Sequence, residues 1–151
     1  MINVFVDSGA FVALLFEPDR YHDRAESIFS DLVTADSRLV TTNHVLAETA
    51  NWLARNRSAG YRNAMQFRAF MRHWTPISAD QIGEGMPRGT GLLVVYSTPG
   101  VGRSAWDILR KYDTAGFSFT DCVSFAVMQA LGITRAFAFD AHFDAAGFER
   151  L

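Results

Sequence analysis

The chain has 151 residues, of which 49% are hydrophobic and 13% aromatic, and its formal net charge at pH 7 is −2. This composition excludes a disordered chain, and this length is sufficient for a buried core. The near-neutral charge gives no overall basic signal for nucleic-acid binding, and the single cysteine, Cys122, excludes an internal disulfide. No apolar run is long enough to span a membrane and no signal peptide is recognisable, so we expect a cytoplasmic protein with one domain over residues 1–151.

The first half of the chain alternates short apolar runs with amphipathic segments. The apolar runs predict strands over residues 2–7 and 38–41, and the other segments predict helices over residues 8–16, 22–35, 43–55 and 61–74. Thr42 or Asn43 is expected to cap the third of these helices. The second helix is expected to bury one face, formed by Ala25, Ile28, Phe29, Leu32 and Val33.

The second half begins with a glycine-rich, irregular stretch over residues 79–102, interrupted by a predicted strand over residues 92–96. Capping boxes at residues 104–107 and 118–121 predict two helices. The first is expected to run to Ala115, and the second covers residues 121–131 and is apolar nearly all round. A strand over residues 134–140 and a short helix or turn over residues 143–151 complete the chain.

This alternation of strands and helices predicts an α/β fold, a three-layer α/β/α sandwich around a parallel central sheet. The first and last predicted strands end on Asp7 and Asp140. Because parallel strands end at the same edge of a sheet, neighbouring strands of this kind would bring the two carboxylates close together.

Four acids stand in apolar surroundings where an acid is unexpected. Asp7 and Asp140 end apolar strands, Asp121 opens the most apolar helix, and Glu48 shares a helix face with Val45 and Trp52. Burying a lone carboxylate costs several kcal/mol unless it is paired, protonated or bound to a metal. Four acids around one hard cation are the simplest solution, and oxygen ligands of this kind select Mg²⁺ or Mn²⁺ over zinc.

Each of these acids also has a simpler interpretation when it is considered alone. Asp121 would stabilise its helix as a cap, and Asp7 and Asp140 would accept hydrogen bonds from the turns that follow them. Glu48 has the weakest alternative, because a glutamate between Val45 and Trp52 gains nothing from the helix.

The order Asp7, Glu48, Asp121, Asp140 resembles the PIN domain, and most closely the VapC toxins of bacterial and archaeal toxin–antitoxin pairs. Residues 4–10, residues 43–52 and residues 105–143 carry the resemblance, which covers nearly the whole chain. The glycine-rich stretch over residues 79–91 is longer than expected for this family.

The resemblance implies a PIN-like fold and a ribonuclease that uses Mg²⁺ or Mn²⁺. Asp7, Glu48 and Asp121 would be metal ligands or water-positioning residues, and Asp140 would be the fourth acid. Ser8 and Thr120 are expected either to hydrogen-bond these acids or to act as local caps. Asp144 is expected either to lie next to the metal-binding acids without binding the metal itself, or to lie on the exposed surface.

Binding of an RNA substrate requires positive charge near this acidic site. No acid occurs between Glu48 and Asp80, whereas this segment contains five arginines that could guide an RNA backbone. They are Arg55, Arg57, Arg62, Arg68 and Arg72. The alternative is a solvated helix face on which arginine stems cover apolar surface.

The helices over residues 43–55 and 61–74 are also apolar enough to predict a homodimer contact or an antitoxin contact. The resemblance implies a VapB-like antitoxin, whose C-terminal segment is expected to cover the acids. Two other functions remain open: a housekeeping PIN nuclease in RNA processing, and a non-catalytic PIN-like interaction module. The sequence contains no phosphate-binding loop, no zinc-ligand spacing and no nucleophile elbow.

Overall fold

A computed structural model describes residues 2–58, 60–84 and 91–151. Within these ranges the chain forms one six-stranded parallel sheet with the order β3-β4-β2-β1-β5-β6. The strands are β1 (Asn3–Val6), β2 (Arg38–Thr42), β3 (Thr75–Ser78), β4 (Leu92–Tyr96), β5 (Arg135–Phe137) and β6 (Glu149–Arg150). The helices are α1 (Ser8–Leu15), α2 (His22–Thr34), α3 (Asn43–Arg55), α4 (Gly60–Met71), α5 (Pro99–Lys111), α6 (Phe119–Leu131) and α7 (His142–Ala145).

The middle of the sheet is apolar on both faces. β1 lies between β2 and β5, with Phe5 opposite Val40 on one side and Ala136 on the other. These three residues are fully buried. The observed architecture therefore confirms the predicted three-layer α/β/α sandwich with a parallel sheet, in which helices cover both faces and buried strands are apolar throughout.

Aromatic side chains join the helices to one another and to the sheet. In the layer that contains α1 and α4, Phe11 packs against Phe67 and Trp74, with ring centroids 5.3 and 5.6 Å apart. Elsewhere Phe143 contacts Phe125 of α6 and Phe5 of β1. α6 is buried continuously from Asp121 to Met128, which confirms the central position predicted from its apolar sequence.

Two predicted helix caps are confirmed, and a glycine ends α6. Thr42 caps α3, and its hydroxyl accepts the N–H of Val45 at 3.2 Å. Ser118 and Asp121 form the reciprocal capping box of α6. Gly132 ends α6 at φ 64°, a left-handed conformation in which a Cβ would be strained.

Two short edge strands were missing from the prediction. β3 contains Pro76, which cannot donate to a sheet ladder and is tolerated only near an edge. β6 consists of two exposed residues at the opposite edge, Glu149 and Arg150, within the tail predicted as a helix or turn. Neither segment has the apolar run by which a strand is recognised in sequence.

Several predicted boundaries were wrong. The helix predicted to begin at Ser104 begins at Pro99, a favourable residue in a first turn, and ends at Lys111 instead of Ala115. Ser104 lies within α5 and donates its hydroxyl to the Gly100 carbonyl at 3.3 Å. α4 ends at Met71 rather than at residue 74.

Two further expectations also require correction. β5 ends at Phe137 instead of Asp140, because its neighbour β1 ends at Val6, the residue paired with Phe137. On α2, Val33 is 58% exposed although it was assigned to the buried face. The buried residues of α2 are Ala25 and Leu32, which lie two turns apart on one face of the helix. Val33 lies outside this face.

The glycine-rich stretch over residues 79–102 contains a 3₁₀ turn (Ala79–Glu84), β4 and the first residues of α5. Residues 85–90 of that stretch lie outside the described residues. Within the described ranges, no helix is both long and apolar enough to cross a membrane.

Candidate active site

A pocket of about 520 Å³ opens at the carboxyl edge of the sheet. Five carboxylates line it: Asp7, Asp19, Glu48, Asp121 and Asp140. They come from the residue after β1, from the loop after α1, from α3 and α6, and from the segment between β5 and α7. The fold therefore brings together the four acids singled out in the sequence and adds a fifth.

Asp7 lies at the bottom of the pocket and is only 5% exposed. Its Oδ2 accepts the N–H of Gly9 at 3.5 Å, so it caps α1 as the simpler interpretation predicted. Burial, together with the negative charges of Asp121 and Glu48, raises the pKa of Asp7 from 3.8 to about 7, against the lowering effect of backbone hydrogen bonds from Ser8 and Gly9. Asp7 is thus both a cap and a carboxyl group whose charged form its surroundings disfavour.

Asp121 also combines a cap with a place in the pocket. Its Oδ2 accepts the N–H of Ser118 at 2.9 Å, completing the capping box of α6. The same oxygen lies 3.0 Å from Nδ1 of His142. An ionised carboxylate only accepts hydrogen bonds, so Nδ1 is the donor in this contact. Two groups from different elements therefore fix the orientation of Asp121.

Glu48 occupies the α3 side of the pocket and is half-buried. The hydroxyl of Ser8 donates to Glu48 Oε2 at 2.6 Å, a contact between residues 40 positions apart in sequence. Of the two roles considered for Ser8, the structure shows the hydrogen bond to an acid, and this bond orients one oxygen of Glu48 across the pocket. Hydroxyl–carboxylate bonds of this length are among the stronger hydrogen bonds in proteins.

Asp140 lies at the mouth of the pocket, and its side chain is 48% exposed. The expectation of a buried Asp140 was therefore wrong, because β5 ends three residues earlier and the chain has already left the sheet. Asp140 Oδ1 accepts the backbone N–H of His142 at 2.9 Å, as the turn interpretation predicted. Its Oδ2 lies 3.4 Å from His142 Nδ1.

His142, Asp19 and Arg20 also line the pocket and were not assigned to it from the sequence. His142 connects Asp121 to Asp140 through Nδ1. The signal for His142 was present, since a donor two residues after an aspartate often closes a turn on it. Asp19 and Arg20 lie in an irregular loop, where no periodicity indicates which way a side chain points.

Thr120 and Asp144 do not take the supporting roles considered for them. Ser118, rather than Thr120, makes the capping bonds with Asp121. Asp144 is exposed, pairs with Arg150 at 2.7 Å and lines a separate cavity. The exposed-surface interpretation of Asp144 is therefore the correct one.

The five arginines proposed to contact RNA are all exposed and lie on or next to α3 and α4. They are Arg55, Arg57, Arg62, Arg68 and Arg72. Arg55 lines a cavity that adjoins the acidic pocket through Trp52. Within the pocket itself, the arginine among the lining residues is Arg20, which lies over the Tyr21 ring at 4.6 Å.

Cys122 follows Asp121 but is fully buried in α6. Burial raises the pKa of the Cys122 thiol, and the charge of Asp121 raises it further. Because the thiolate is the reactive form, this environment makes a poor nucleophile. Cys122 is a core residue.

Among the residues that the structure describes, no group of three or more His, Cys, Asp or Glu side chains is already arranged to hold a metal ion. The donor chemistry nevertheless fits a hard divalent cation, because the converging ligands are carboxylate oxygens. Asp121 and Glu48 also raise the pKa of Asp7 by charge repulsion, which a cation between them would relieve. The pocket therefore fits Mg²⁺ or Mn²⁺ by charge and ligand type, without a preassembled ligand set.

The sequence matches the PIN domain family over residues 4–149. It is 33% identical over 145 residues to the 23S rRNA-specific endonuclease VapC20 of Mycobacterium tuberculosis, an alignment that covers 96% of this chain and 95% of the relative. The crystal structure of M. tuberculosis VapC20, described as a sarcin-ricin loop cleaving toxin, matches this fold with a TM-score of 0.73 at 31% identity, over 96% of this chain and 95% of that one.

Two more distant structures share the fold. VapBC2 from Rickettsia felis, bound to a DNA fragment from its promoter, has a TM-score of 0.63 at 12% identity and covers 100% of this chain and 98% of that one. FitAcB from Neisseria gonorrhoeae has a TM-score of 0.59 at 11% identity and covers 98% of this chain and 96% of that one. At such identities these two matches support the architecture alone.

Proposed function

The chain belongs to the PIN domain family, and from this premise we propose that it is a metal-dependent endoribonuclease and the toxin of a type II toxin–antitoxin pair. The observation that carries the proposal is the convergence of Asp7, Glu48, Asp121 and Asp140 in one pocket. The relative at 33% identity over 96% of the chain is an RNA endonuclease, which supports the same reaction here.

In this proposal Asp7, Glu48 and Asp121 hold Mg²⁺ or Mn²⁺, and Asp140 is the fourth acid at the mouth. When bound, the cation activates water for attack and stabilises negative charge on the scissile phosphate. Ser8 keeps Glu48 oriented through its 2.6 Å bond, and His142 and Ser118 orient Asp121 through one oxygen. The chain thus supplies fixed carboxylates rather than a nucleophile of its own.

The proposed substrate is single-stranded RNA or the loop of a folded RNA. A duplex keeps its bases stacked, whereas a loop exposes its bases and backbone to a pocket of this size. The exposed arginines of α3 and α4 provide positive charge beside a pocket that is itself strongly acidic. This charge arrangement allows the backbone to be attracted from outside while one phosphate approaches the acids.

The proposed protein partners are a second copy of the chain and a VapB-like antitoxin. Large apolar side chains of α4 are exposed: Tyr61 at 76% and Met65 at 37%. The antitoxin's C-terminal segment would cover the pocket and present arginine to its carboxylates. A monomer in light scattering at high micromolar concentration would contradict the homodimer.

The test of the reaction is cleavage of a labelled loop-containing RNA by the purified protein. We expect cleavage with Mg²⁺ or Mn²⁺, none in EDTA, and none with Asp121→Asn. Asp144→Asn is the matched control, because it removes an aspartate of the same surface that lies outside the pocket. Equal cleavage in EDTA, or full activity of Asp121→Asn, would overturn the proposal.

A binding measurement separates metal affinity from activity. A ligand that binds only the folded state raises its melting temperature, so Mg²⁺ should stabilise the wild-type protein. The gain should be smaller for Asp121→Asn and unchanged for Asp144→Asn. An identical response of all three proteins would argue against a metal site in this pocket.

A further inference from the structure

One face of α3 leads out of the acidic pocket. Trp52 follows Glu48 by four residues, and Arg55 and Asn56, the residue directly after the helix, follow Trp52 by three and four residues. Side chains at such spacings lie along one helix face. Glu48 and Trp52 line the acidic pocket, and Trp52 also lines an adjoining cavity of about 380 Å³ together with Asn51, Arg55 and Asn56. Trp52 is therefore the side chain shared by the two cavities.

Trp52 is held in place but is not buried. Its ring packs edge-on against Phe16, with centroids 5.5 Å apart and an interplanar angle of 62°. The residue nevertheless remains 40% exposed. A single exposed aromatic residue has no significance by itself. Here the ring has a fixed orientation beside a catalytic pocket, so it forms a ready platform for a planar ligand.

The other side chains of the adjoining cavity are polar and suit a nucleotide. The guanidinium of Arg55 can pair with phosphate, and the side-chain amide of Asn51 offers both donors and an acceptor to a base edge. Both residues are exposed. The carboxylates of the acidic pocket repel the RNA backbone wherever a bound cation does not neutralise them, so contacts outside the pocket add to binding. The adjoining cavity supplies an aromatic surface and a positive charge where they are needed.

Resting on the function proposed above, we propose that Asn51, Trp52, Arg55 and Asn56 form a subsite for an unpaired nucleobase next to the scissile phosphate. The base stacks on Trp52, and Arg55 contacts the neighbouring phosphate. Seven residues of helix separate Glu48 from Arg55, which corresponds to about 10 Å along the axis. This length accommodates one nucleotide beside the phosphate that approaches the acids.

The test compares steady-state cleavage of a fluorophore-labelled single-stranded RNA by three tryptophan variants. Trp52→Leu keeps an apolar side chain against Phe16 but removes the stacking platform, and should raise KM about 10-fold, in the range of one lost base–aromatic stack. Its kcat should stay within about threefold. Trp52→Phe retains an aromatic ring and should stay near wild type in KM.

Trp106→Leu is the matched control. Trp106 is 61% exposed on α5 and packs on Phe119 at 4.6 Å, and it does not line either cavity. Its substitution should leave KM within about twofold. Melting temperatures of all variants identify any loss that is caused by unfolding.

Substrate with one abasic nucleotide identifies the contacted base. Once the cleavage site is mapped, removing the base beside it should raise KM for the wild-type protein but cause little further loss with Trp52→Leu. Such non-additivity is the mark of two groups that contact each other. Full additivity of the two changes would contradict stacking on Trp52.

The remaining outcomes separate this subsite from the proposed nuclease function. An active wild type with an unchanged KM for Trp52→Leu would overturn the subsite alone. Absence of metal-dependent cleavage by the wild type would overturn both proposals. If Trp52→Leu instead converts a dimer to a monomer in light scattering, with KM unchanged per active site, the surface belongs to a second copy of the chain and the subsite is overturned.

Discussion

The floor of the acidic pocket, formed by Asp7 and Asp121, and its rim, formed by Asp140 and His142, contain similar groups in opposite surroundings. Asp7 and Asp121 are 5% and 8% exposed, whereas the Asp140 side chain is 48% exposed. Burial raises the pKa of Asp7 to about 7. At the rim, solvent reaches Asp140, and His142 provides a nearby donor.

The difference shows that position along a strand does not decide what a carboxylate does. Asp7 and Asp140 follow adjacent parallel strands, and Asp7 N–H still donates to the Phe137 carbonyl at 3.1 Å. Only Asp7 remains under the helices, however, because α1 begins directly after it. A buried carboxylate is costly without a cation and can hold one firmly, whereas an exposed carboxylate does neither to the same degree. We therefore expect Asp7 and Asp121 to contribute most of the metal affinity. We expect Asp140 and His142 to affect how the substrate is positioned and how Asp121 is oriented.

The largest difference between floor and rim is expected in cleavage activity, when Asp7 and Asp140 are replaced one at a time. Asp7→Asn should reduce cleavage by more than the roughly 10–100-fold loss typical when a partner of a metal ligand is removed. Asp140→Asn should fall within that 10–100-fold range. Single-turnover cleavage of one RNA under identical metal concentrations measures both. Equal losses for the two variants would show that the floor and the rim do not differ in function.

The pH dependence of the stability of the metal-free protein should also distinguish the buried Asp7 from the exposed Asp140. Because the pKa of Asp7 is higher in the folded protein than its ordinary value of 3.8, the folded state binds the proton more tightly. Stability should then fall as the pH rises from about 4 to about 7, with a loss on the order of 2 kcal/mol between pH 5 and pH 8.

Asp7→Asn should remove this loss, so the variant should be at least as stable as the wild type at pH 8 in chelator. The measurement is urea unfolding at pH 5 and pH 8, in which the difference between the two proteins cancels the titration of other groups. Asp140→Asn is the matched control for the loss of one pocket carboxyl group, because it leaves Asp7 and its burial in place. A wild type that gains stability from pH 5 to pH 8 relative to Asp7→Asn would refute the assignment.

The smallest effect is expected outside the pocket. Asp144 pairs with Arg150 on the surface, with half of its side chain exposed. Exposed ion pairs contribute about 0–1 kcal/mol, so Asp144→Asn should change cleavage by less than about twofold and melting temperature by a few degrees at most. A large loss of cleavage would show that the functional surface extends beyond the pocket and that proximity in sequence to Asp140 does matter.

Local sequence patterns predicted the elements that are strongly encoded. The helix Asn43–Arg55 and the strand Leu92–Tyr96 have the predicted bounds, because apolar periodicity and a cap mark the helix and a continuous apolar run marks the strand. The capping box of Ser118 and Asp121 is equally local, since it involves residues three apart. The errors fall on edge strands and helix ends. The missed strands contain a proline or consist of two charged residues, and α5 begins at Pro99, before the capping box that was expected to open it.

The sequence by itself determined the alternation of strands and helices, the parallel sheet and the identity of four acids that share one pocket. Tertiary structure alone decided that Asp7 is buried while Asp140 is exposed, that Ser8 reaches Glu48, and that His142 reaches Asp121. The reason is physical: periodicity records which face of one element is apolar, whereas burial and hydrogen bonding between distant residues depend on how all the elements pack. The cavity beside Trp52 belongs to this second class, because it forms where one face of α3 continues past the pocket.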